Sequence, residues 1–404
     1  MSFNGFDTLP DSAANVIKAW KVNIPQQDLD NLFTLLKISP LAPNTYENSL
    51  PGEDRSLGVR HDWLSAAKKY WENEFDWRKQ EEHMNSFPHF KASVHDPIGE
   101  FDVHFVALFS KRKDAIPIIL LHGWPGSFLE FLSILDSLRS KYTADTLPYH
   151  LVVPSLPGYT FSSPPPLNHN FRPTDVARII DKLTTLLGFQ AYMFQGGDVG
   201  GRVGRIMAAE YPNCKAILLN TCPMPAPDFG DIKSPINDSE EKGLERHRFF
   251  LHNGSAYALE HATRPATIGF VLSSSPLALL AWIGEKFMGW TDTDPSLDEI
   301  LTSVTLYWVT GCAATSLWSY REFYGPNATS HATKEWHVKK PLGFSWFPRE
   351  ITPVPRAWVE LTGNLVFYRQ HDSGGHFAAM EKPSVLWNDV EEFLNDVKGV
   401  FDTR

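Results

Sequence analysis

An aspartate occupies a glycine-rich turn of the kind that presents a nucleophile. The segment Gly196-Gly197-Asp198-Val199-Gly200 directly follows the apolar run Ala191-Tyr192-Met193-Phe194. A sharp strand-to-helix elbow of this kind usually carries a serine. A carboxylate in its place is suited to displacing a leaving group from a saturated carbon, which gives an alkyl ester that water can hydrolyse. Asp198 therefore predicts displacement or ring opening at carbon, on epoxides or halides, rather than peptidase or ordinary esterase chemistry.

An acid and a histidine follow this aspartate in the chain order that parallel-sheet hydrolases use. His376 lies in Gly374-Gly375-His376-Phe377, after the last strand run, where it can deprotonate the water that hydrolyses the ester. Glu350 follows the preceding strand run and can orient the imidazole and stabilise its charged form. Asp372 is a competing acid on the loop that approaches the histidine, and we rank it below Glu350.

A second loop can bind negative charge that develops during hydrolysis. The segment His122-Gly123-Trp124-Pro125-Gly126-Ser127 follows another buried strand run. The backbone amide of Trp124, together with the amide of Val199 behind the nucleophile, is predicted to form an oxyanion hole. Loss of one such donor typically lowers the rate by about a hundred- to a thousand-fold.

The elements that must position these residues are those of an α/β protein. Short apolar runs typical of strands alternate with helical stretches, and the runs lie at residues 103–108, 116–121, 150–153, 191–194 and 216–220. The clearest helix follows Thr174, with Thr174 as its predicted N-cap and Gly188 as its stop. This alternation predicts a doubly wound core, a mostly parallel sheet with helices on both faces.

Four segments are expected along the chain. Residues 1–95 form an N-terminal helical or meander segment, with no strand run between about 14 and 90. Residues 96–223 form the first part of the core. The alternation lapses over residues 224–340, which predicts an inserted helical cap, and strand runs return in residues 341–404 as the second part of the core.

Composition excludes several other classes of function. The 404 residues are 43% hydrophobic, carry a net charge of −10 and contain no run of lysine and arginine, which argues against a nucleic-acid partner. Cys214, Cys222 and Cys312 have no C-x-x-C spacing, so neither a metal site nor a disulfide framework is indicated. The longest apolar stretch, around residues 276–283, is too short to span a bilayer, and a cytoplasmic protein without a membrane partner is expected.

Taken together, these motifs resemble the epoxide hydrolases of the α/β-hydrolase fold, in particular the microsomal-type branch and its soluble fungal members. In the N-terminal part the resemblance lies in Trp71, in residues 75–81 (FDWRKQE) and in residues 84–90 (MNSFPHF). In the core it lies in the loop at 122–125 (HGWP), the Gly-Gly-Asp elbow and residues 374–379 (GGHFAA). The resemblance runs through most of the chain.

The resemblance implies that two cap tyrosines donate hydrogen bonds to the oxygen of an epoxide substrate. Tyr257 and Tyr320 lie where the family motifs have them, whereas the residues alone do not distinguish them from Tyr307 and Tyr324. It also implies a hydroxyalkyl ester on Asp198, a vicinal diol as product, no cofactor and a possible homodimer. Members of the family have either Asp or Glu at the position of Glu350.

Aromatic residues predict an apolar pocket for aryl or aliphatic epoxides. We expect Trp124, Phe250, Trp282 and Trp318 to line it, with Trp308 as a further candidate, although any of these can instead be core. Haloalkane dehalogenase chemistry is one alternative, because it also uses an aspartate and a histidine-activated water. A catalytically silent hydrolase fold is another, although all three members of the Asp-Glu-His set are present. Detoxification, catabolism and biosynthesis are all compatible with this chemistry.

Overall fold

In the part of the chain that the structure describes, nine strands form one sheet. The computed structural model describes residues 3–324 and 328–402. The strands are β1 (Ile17–Trp20), β2 (His89–Asp96), β3 (Gly99–Leu108), β4 (Ile116–Leu121), β5 (Tyr149–Pro154), β6 (Tyr192–Gly196), β7 (Cys214–Leu219), β8 (Val338–Trp346) and β9 (Gly363–Gln370). Their spatial order is β1-β2-β3-β5-β4-β6-β7-β8-β9. Each of the strand runs expected in the core therefore forms a strand.

Helices cover the sheet and form the cap. The α-helices of the described chain are α1 (Gln26–Ile38), α2 (His61–Asn73), α3 (Trp77–Met84), α4 (Leu132–Lys141), α5 (Pro173–Leu186), α6 (Asp198–Glu210), α7 (Asp238–Phe249), α8 (Ala256–Thr263), α9 (Pro265–Leu272), α10 (Pro276–Trp290), α11 (Leu297–Val309), α12 (Cys312–Thr315), α13 (Arg356–Val359), α14 (Ala378–Glu381) and α15 (Pro383–Asp396). Short 3₁₀ turns include Phe128–Phe131 and Leu317–Glu322, and one π-helical turn spans Phe250–Gly254. Helices α7 to α12 all lie between β7 and β8, so the cap is an insertion into the sheet.

The order of the parallel strands determines where a site can form. Strands β5, β4, β6, β7, β8 and β9 pair in parallel, and β1 to β3 extend the sheet as an antiparallel edge. From β4 the chain crosses to β5 on one side, while β6 lies on the other side and leads away to β7. Ligands of open α/β sheets bind at such a reversal of strand order, outside the carboxyl ends of the strands. The register pairs Leu121 with Gly196, so the loops after β4 and β6 are neighbours there.

The start of helix α6 packs directly against the end of β4 because its first turn contains glycine. A Cβ on Gly200 would lie 2.2 Å from the carbonyl oxygen of Leu121 and 2.6 Å from that of His122. Any larger residue would push the helix away from the strand. The glycine therefore keeps the start of α6 beside the loop that follows β4.

The start of α5 differs from the sequence prediction. The helix begins at Pro173 with Arg172 at the N-cap, so the expectation of Thr174 as the cap is wrong. The backbone amide of Arg172 donates to the carboxylate of Asp175 at 3.0 Å, and proline is favoured at the first helical position because it needs no hydrogen-bond acceptor. Gly188 ends the helix region with φ +81°, as expected.

The N-terminal segment also differs, since it contributes an edge strand where none was expected. Residues 17–20 pair antiparallel with residues 89–92, which makes β1 the outermost strand of the sheet. Only Ile17 of its four residues is buried. Such a short strand has too little alternation to show a period of two, and it exists because β2 offers it an unpaired edge.

The three cysteines are free and buried. Within the described residues no helix by itself has the length and apolar content to cross a membrane, although two bent pairs of consecutive helices reach that composition jointly.

Candidate active site

The predicted nucleophile Asp198 occupies a strained elbow between β6 and α6. Its φ is +48°, a left-handed conformation that a non-glycine residue adopts at a cost of roughly 1–3 kcal/mol. It is the first residue of α6, where the unpaired amides of a helix N-terminus favour negative charge. The fold thus holds a carboxylate at the carboxyl end of a central strand.

One carboxylate oxygen of Asp198 is held by the loop after β4. The amide of Trp124 donates to Oδ1 at 2.7 Å, and the amide of Val199 also stabilises the charged carboxylate. A Cβ on Gly123 would lie 2.2 Å from Oδ1, so only glycine allows this approach. Burial raises the pKa of Asp198, and the charge of His376 and the two amides oppose that rise. Both predicted oxyanion-hole amides therefore meet the carboxylate of Asp198.

The other oxygen faces His376, whose ring is oriented by Glu350. Nε2 of His376 lies 3.8 Å from Oδ2 of Asp198, and Nδ1 lies 2.9 Å from each carboxylate oxygen of Glu350. Oε1 of Glu350 also accepts from the amide of Ile351 at 2.7 Å. The structure thus brings together the three residues predicted from chain order. Asp372, the competing acid, is exposed.

The imidazole of His376 is surrounded by carboxyl groups. Burial by itself lowers the pKa of His376, but the charge and hydrogen bond of Glu350, with smaller contributions from Asp198 and Glu130, raise it to about 9. In the free protein at neutral pH the imidazole is therefore protonated. A base must lose that proton before it can act.

Tyr257 and Tyr320 both lie close to the carboxylate of Asp198. The Tyr257 ring stacks on Trp124 with centroids 5.3 Å apart, and the Tyr320 ring meets the same indole edge-on at 5.7 Å. Burial, and then the charge of Asp198 among other neighbours, raises the pKa of each phenol well above its ordinary value. The hydroxyl of Tyr320 is buried beside that of Tyr257, and each phenol is among the groups that shift the pKa of the other. Both hydroxyls are therefore protonated donors near the nucleophile.

The two alternative tyrosines have different surroundings. The hydroxyl of Tyr307 donates to the carbonyl oxygen of Gly126 at 2.9 Å, so it is engaged in holding the loop after β4. Tyr324 is less buried than Tyr257 and Tyr320, and Asp198 is not among the groups that raise its pKa. Geometry thus favours Tyr257 and Tyr320, which the residues alone did not distinguish.

A cavity of about 720 Å³ leads from the surface to Tyr257. Phe250, Trp282 and Trp290 line it, together with part of the N-terminal segment at residues 55–59. Trp124 lies deeper, at the nucleophile. Trp318 is not brought to this cavity, because its ring packs on Phe171 and its indole nitrogen donates to the carbonyl oxygen of Pro157 at 2.9 Å. Trp308 does not line it either.

Sequence reasoning missed Trp290 and Glu130. The Trp290 ring stands edge-on to His376 with centroids 5.0 Å apart, and its carbonyl oxygen accepts from the amide of His376 at 2.9 Å. Glu130 shares a small cavity with Asp198 and His376. Trp290 carries no local signal, whereas Glu130 is a charged residue among apolar neighbours at 128–132, which could have marked it.

Comparison with known proteins places this arrangement in one family. A family model described as "Epoxide hydrolase N terminus" matches residues 17–131, and one described as "alpha/beta hydrolase fold" matches residues 116–253. Among solved structures, the epoxide hydrolase of Aspergillus niger is 47% identical with a TM-score of 0.91, and the match covers 97% of this chain and 99% of that one. The juvenile hormone epoxide hydrolase of Bombyx mori is 26% identical with a TM-score of 0.84, with 95% of each chain covered.

A curated mammalian relative matches over nearly the same length. Epoxide hydrolase 1 of Oryctolagus cuniculus is 32% identical, and the match covers 95% of this chain and 89% of the relative. The similarity therefore includes the N-terminal segment, the core and the cap together. The chain belongs to the epoxide hydrolase family, whose members are enzymes built on the α/β-hydrolase fold.

Proposed function

We propose that this epoxide hydrolase converts an epoxide and water to a vicinal diol through a hydroxyalkyl ester on Asp198. The observation that carries the proposal is the different environment of the two oxygens of that carboxylate. Oδ1 is fixed by the amide of Trp124 at 2.7 Å, while Oδ2 is directed toward His376 at 3.8 Å. One oxygen is thus held as a future carbonyl oxygen, and the other is free to attack.

In the first step, Oδ2 of Asp198 attacks an epoxide carbon from the side opposite the breaking C–O bond. The C–O bond of the ring breaks, and its electron pair moves to the epoxide oxygen. Tyr257 and Tyr320 donate hydrogen bonds to that oxygen as charge develops on it, and a preorganised donor in a buried site typically contributes about a hundred- to a thousand-fold. The oxygen takes up one proton, so the product of the step is a neutral hydroxyalkyl ester.

The charges around His376 indicate where that proton comes from. The anionic carboxylate of Asp198 is one of the groups that raise the pKa of His376 to about 9. Ester formation removes this anion, so the pKa of the imidazole falls as the alkoxide appears. The imidazolium can then release its proton to the alkoxide through the tyrosine hydroxyls, and His376 becomes the neutral base that the second step requires.

In the second step, water attacks the carbonyl carbon of the Asp198 ester. His376 accepts a proton from the water at Nε2, and Glu350 stabilises the imidazolium that forms. The amides of Trp124 and Val199 hold the oxyanion. The tetrahedral species then collapses, the ester C–O bond breaks, and the departing alkoxide takes the proton from His376 to give the diol. The carboxyl proton left on Asp198 passes to Nε2 of His376, which restores the carboxylate and the imidazolium of the free enzyme. Neither step requires a metal or an organic cofactor.

The cavity supports an apolar epoxide as the substrate class. Aromatic side chains line the route to Tyr257, and their faces suit an aryl or aliphatic substituent on the ring. Most of the charged groups on this route have partners: Lys286 pairs with Glu285 at 2.6 Å, Arg55 pairs with Asp294 at 2.8 Å, and the Arg246 guanidinium donates to backbone carbonyl oxygens. We therefore propose small aryl or alkyl oxiranes as substrates.

The test is the intact mass of the His376→Ala variant after brief exposure to styrene oxide. The variant should gain the mass of one epoxide, more slowly than the wild type because the proton for the alkoxide must then come from solvent, and should keep it because the ester cannot be hydrolysed. Asp198→Ala should gain nothing, and the wild type should make diol over many turnovers. Normal multiple turnover in either variant would overturn the mechanism, and release of chloride or bromide from haloalkanes without diol formation would favour dehalogenase chemistry instead.

A further inference from the structure

A small cavity borders Asp198 and His376. Its volume is about 20 Å³, which is enough to hold one water molecule. Carboxyl, imidazole and amide side chains share the lining with an equal number of apolar side chains. The polar side chains of the lining belong to Glu130, Gln195, Asp198, Asn220, His122 and His376.

The amide of Gln195 indicates that this cavity accommodates a polar guest. Gln195 is 1% exposed, and its Nε2 donates to Oδ1 of Asn220 at 3.0 Å. Its Oε1 is buried without a partner in the described part of the chain. A buried acceptor without a donor costs about 1–3 kcal/mol, so such groups are usually paired with an ordered water.

The carboxyl group of Glu130 is fixed beside the loop that holds the nucleophile. Glu130 lies in the 3₁₀ turn Phe128–Phe131, and its Oε1 is so close to Gly126 that a Cβ there would lie 1.6 Å from it. Burial raises the pKa of Glu130 to about 8, while His376 opposes and Asp198 adds to the rise. The carboxyl of Glu130 is therefore mostly protonated at neutral pH, and it lies within electrostatic range of His376 and Asp198.

We propose that Glu130 is a catalytic residue of the second step, where it holds the hydrolytic water in this cavity together with Nε2 of His376. This proposal rests on the ester mechanism proposed above. In the free enzyme Nε2 carries its proton, so the water can donate a hydrogen to Oε1 of Gln195. Once the ester has formed and the imidazole is neutral, the carbonyl oxygen of the Glu130 carboxyl accepts one hydrogen of the water, and Nε2 accepts the other. A lone pair of the water oxygen is then directed to the carbonyl carbon of the Asp198 ester.

Glu130 does not exchange a proton with the water in this scheme. The proton of the attacking water goes to His376, and the electron pair of the water forms the new C–O bond. Glu130 instead positions the water within reach of the ester carbonyl carbon. Correct positioning of a reactant can raise a rate by several powers of ten. The first step has no part for this water, so Glu130 should affect only the second.

The experiment measures the two steps separately in the full-length enzyme with styrene oxide. Quenched-flow intact mass gives the rate of ester formation and the rate of its decay. In Glu130→Leu, ester formation should stay within about threefold of wild type, while ester decay should slow by about a hundred-fold. In the steady state kcat and KM should then fall together, because kcat/KM reports the first step.

Two conservative variants separate positioning from a structural effect. Glu130→Gln keeps the size of the side chain and an oxygen that can accept from water, so decay should return to within about tenfold of wild type. Glu130→Asp keeps the carboxyl but withdraws it by one methylene, so decay should slow by at least about tenfold. Glu130→Asp also provides the test if Glu130→Leu fails to fold.

Equal slowing of both steps in Glu130→Leu, or wild-type ester decay in Glu130→Asp, would overturn the role of Glu130 and leave the ester mechanism intact. The proposed function fails in a different way, because no ester would then form in the His376→Ala control and no diol in the wild type. Failure of the role of Glu130 is therefore seen in the Glu130 variants, and failure of the proposed function is seen in His376→Ala and the wild type.

Discussion

The carboxylate of Asp292 accepts a hydrogen bond from the backbone amide of Gly374 at 3.0 Å, and this contact joins the cap to the loop that carries His376. The amide of Asp292 in turn donates to the carboxylate of Glu381 at 2.7 Å, and the Arg349 guanidinium lies 3.5 Å from the Asp292 carboxylate. Gly374 has φ +105°, so the loop turns sharply at this contact. The position of the imidazole thus depends on the cap as well as on the core.

We expect Asp292→Asn to lower both stability and the rate of ester hydrolysis. The change removes the negative charge that Gly374 and Arg349 contact, which should lower the free energy of unfolding by about 1–3 kcal/mol. Ester decay should slow by roughly tenfold, because the loop no longer holds His376 in one position. Urea unfolding and quenched-flow mass measure the two effects.

Asp294→Asn is the matched control in the same loop. Asp294 pairs with Arg55 at 2.8 Å, and the two side chains are 48% and 35% exposed. An exposed ion pair of this kind contributes about 0–1 kcal/mol, so both readouts should stay near wild type. Equal effects of the two substitutions would show that Asp292 has no particular role in holding the histidine loop.

Removal of one phenol hydroxyl should slow ester formation and leave ester decay unchanged. Tyr257→Phe and Tyr320→Phe each remove one donor to the epoxide oxygen, and each should slow the first step by about a hundred- to a thousand-fold. Tyr257 stacks on Trp124, a contact that phenylalanine can retain. Single-turnover rates with styrene oxide test this prediction.

Tyr324→Phe is the control for the tyrosines. Tyr324 is also in the cap, but Asp198 is not among the groups that shift its pKa, so its hydroxyl should have no effect on either step beyond about twofold. A loss as large as that of Tyr257→Phe would mean that the epoxide oxygen lies elsewhere in the pocket.

The proximity of Asp198, Glu350 and His376 could be predicted from the sequence because local patterns determine it. Asp198, Glu350 and His376 each follow an apolar strand run, and parallel strands end at the same edge of the sheet. Chain order was therefore enough to bring the three residues together. The same reasoning identified the loop at Trp124, since β4 is the neighbour of β6.

Contacts between the cap and the core could not be predicted in this way. The local sequence does not distinguish the roles of Trp290 and Trp318. The Trp290 ring nevertheless contacts His376, whereas the Trp318 ring packs on Phe171. Which face of a cap residue meets the core depends on packing between segments far apart in sequence. Strand β1 was missed for a related reason, because a partner strand and not its own four residues stabilises it.

Trp290 and Trp318 therefore offer a matched pair of substitutions. Each is largely buried, at 5% and 3% exposure, so each change to alanine should destabilise the fold by about 3–5 kcal/mol. Trp290→Ala should also slow both chemical steps by more than about tenfold, since its ring contacts His376 and Tyr257. Trp318→Ala should leave both rates within about threefold.

Thermal unfolding and single-turnover rates at a temperature where both variants are folded distinguish the two effects. If Trp318→Ala slowed the chemistry as much as Trp290→Ala, general loosening of the cap would explain both, and Trp290 would have no specific role at the histidine.

The raised pKa of His376 should make stability depend on pH in a defined window. The folded state binds the proton of His376 with a pKa of about 9, whereas the ordinary value of 6.5 applies to the unfolded chain. The folded state therefore binds this proton more tightly, and the resulting stabilisation is fully present below pH 6.5 and lost as pH rises through about 9. Burial lowers this pKa, and the negative charge of Glu350 makes the largest contribution to raising it.

Comparison of wild type with Glu350→Gln isolates this contribution. The variant also weakens the hydrogen bond from the amide of Ile351, but that loss is the same at each pH. The difference in free energy of unfolding should therefore be largest near pH 6 and should shrink steadily between pH 6.5 and 9. Urea titrations at pH 6, 7.5 and 9.5 measure it. A difference that stayed constant, or grew with pH, would mean that Glu350 does not hold His376 as an imidazolium in the free enzyme, and the proton that the first step delivers to the alkoxide would need another source.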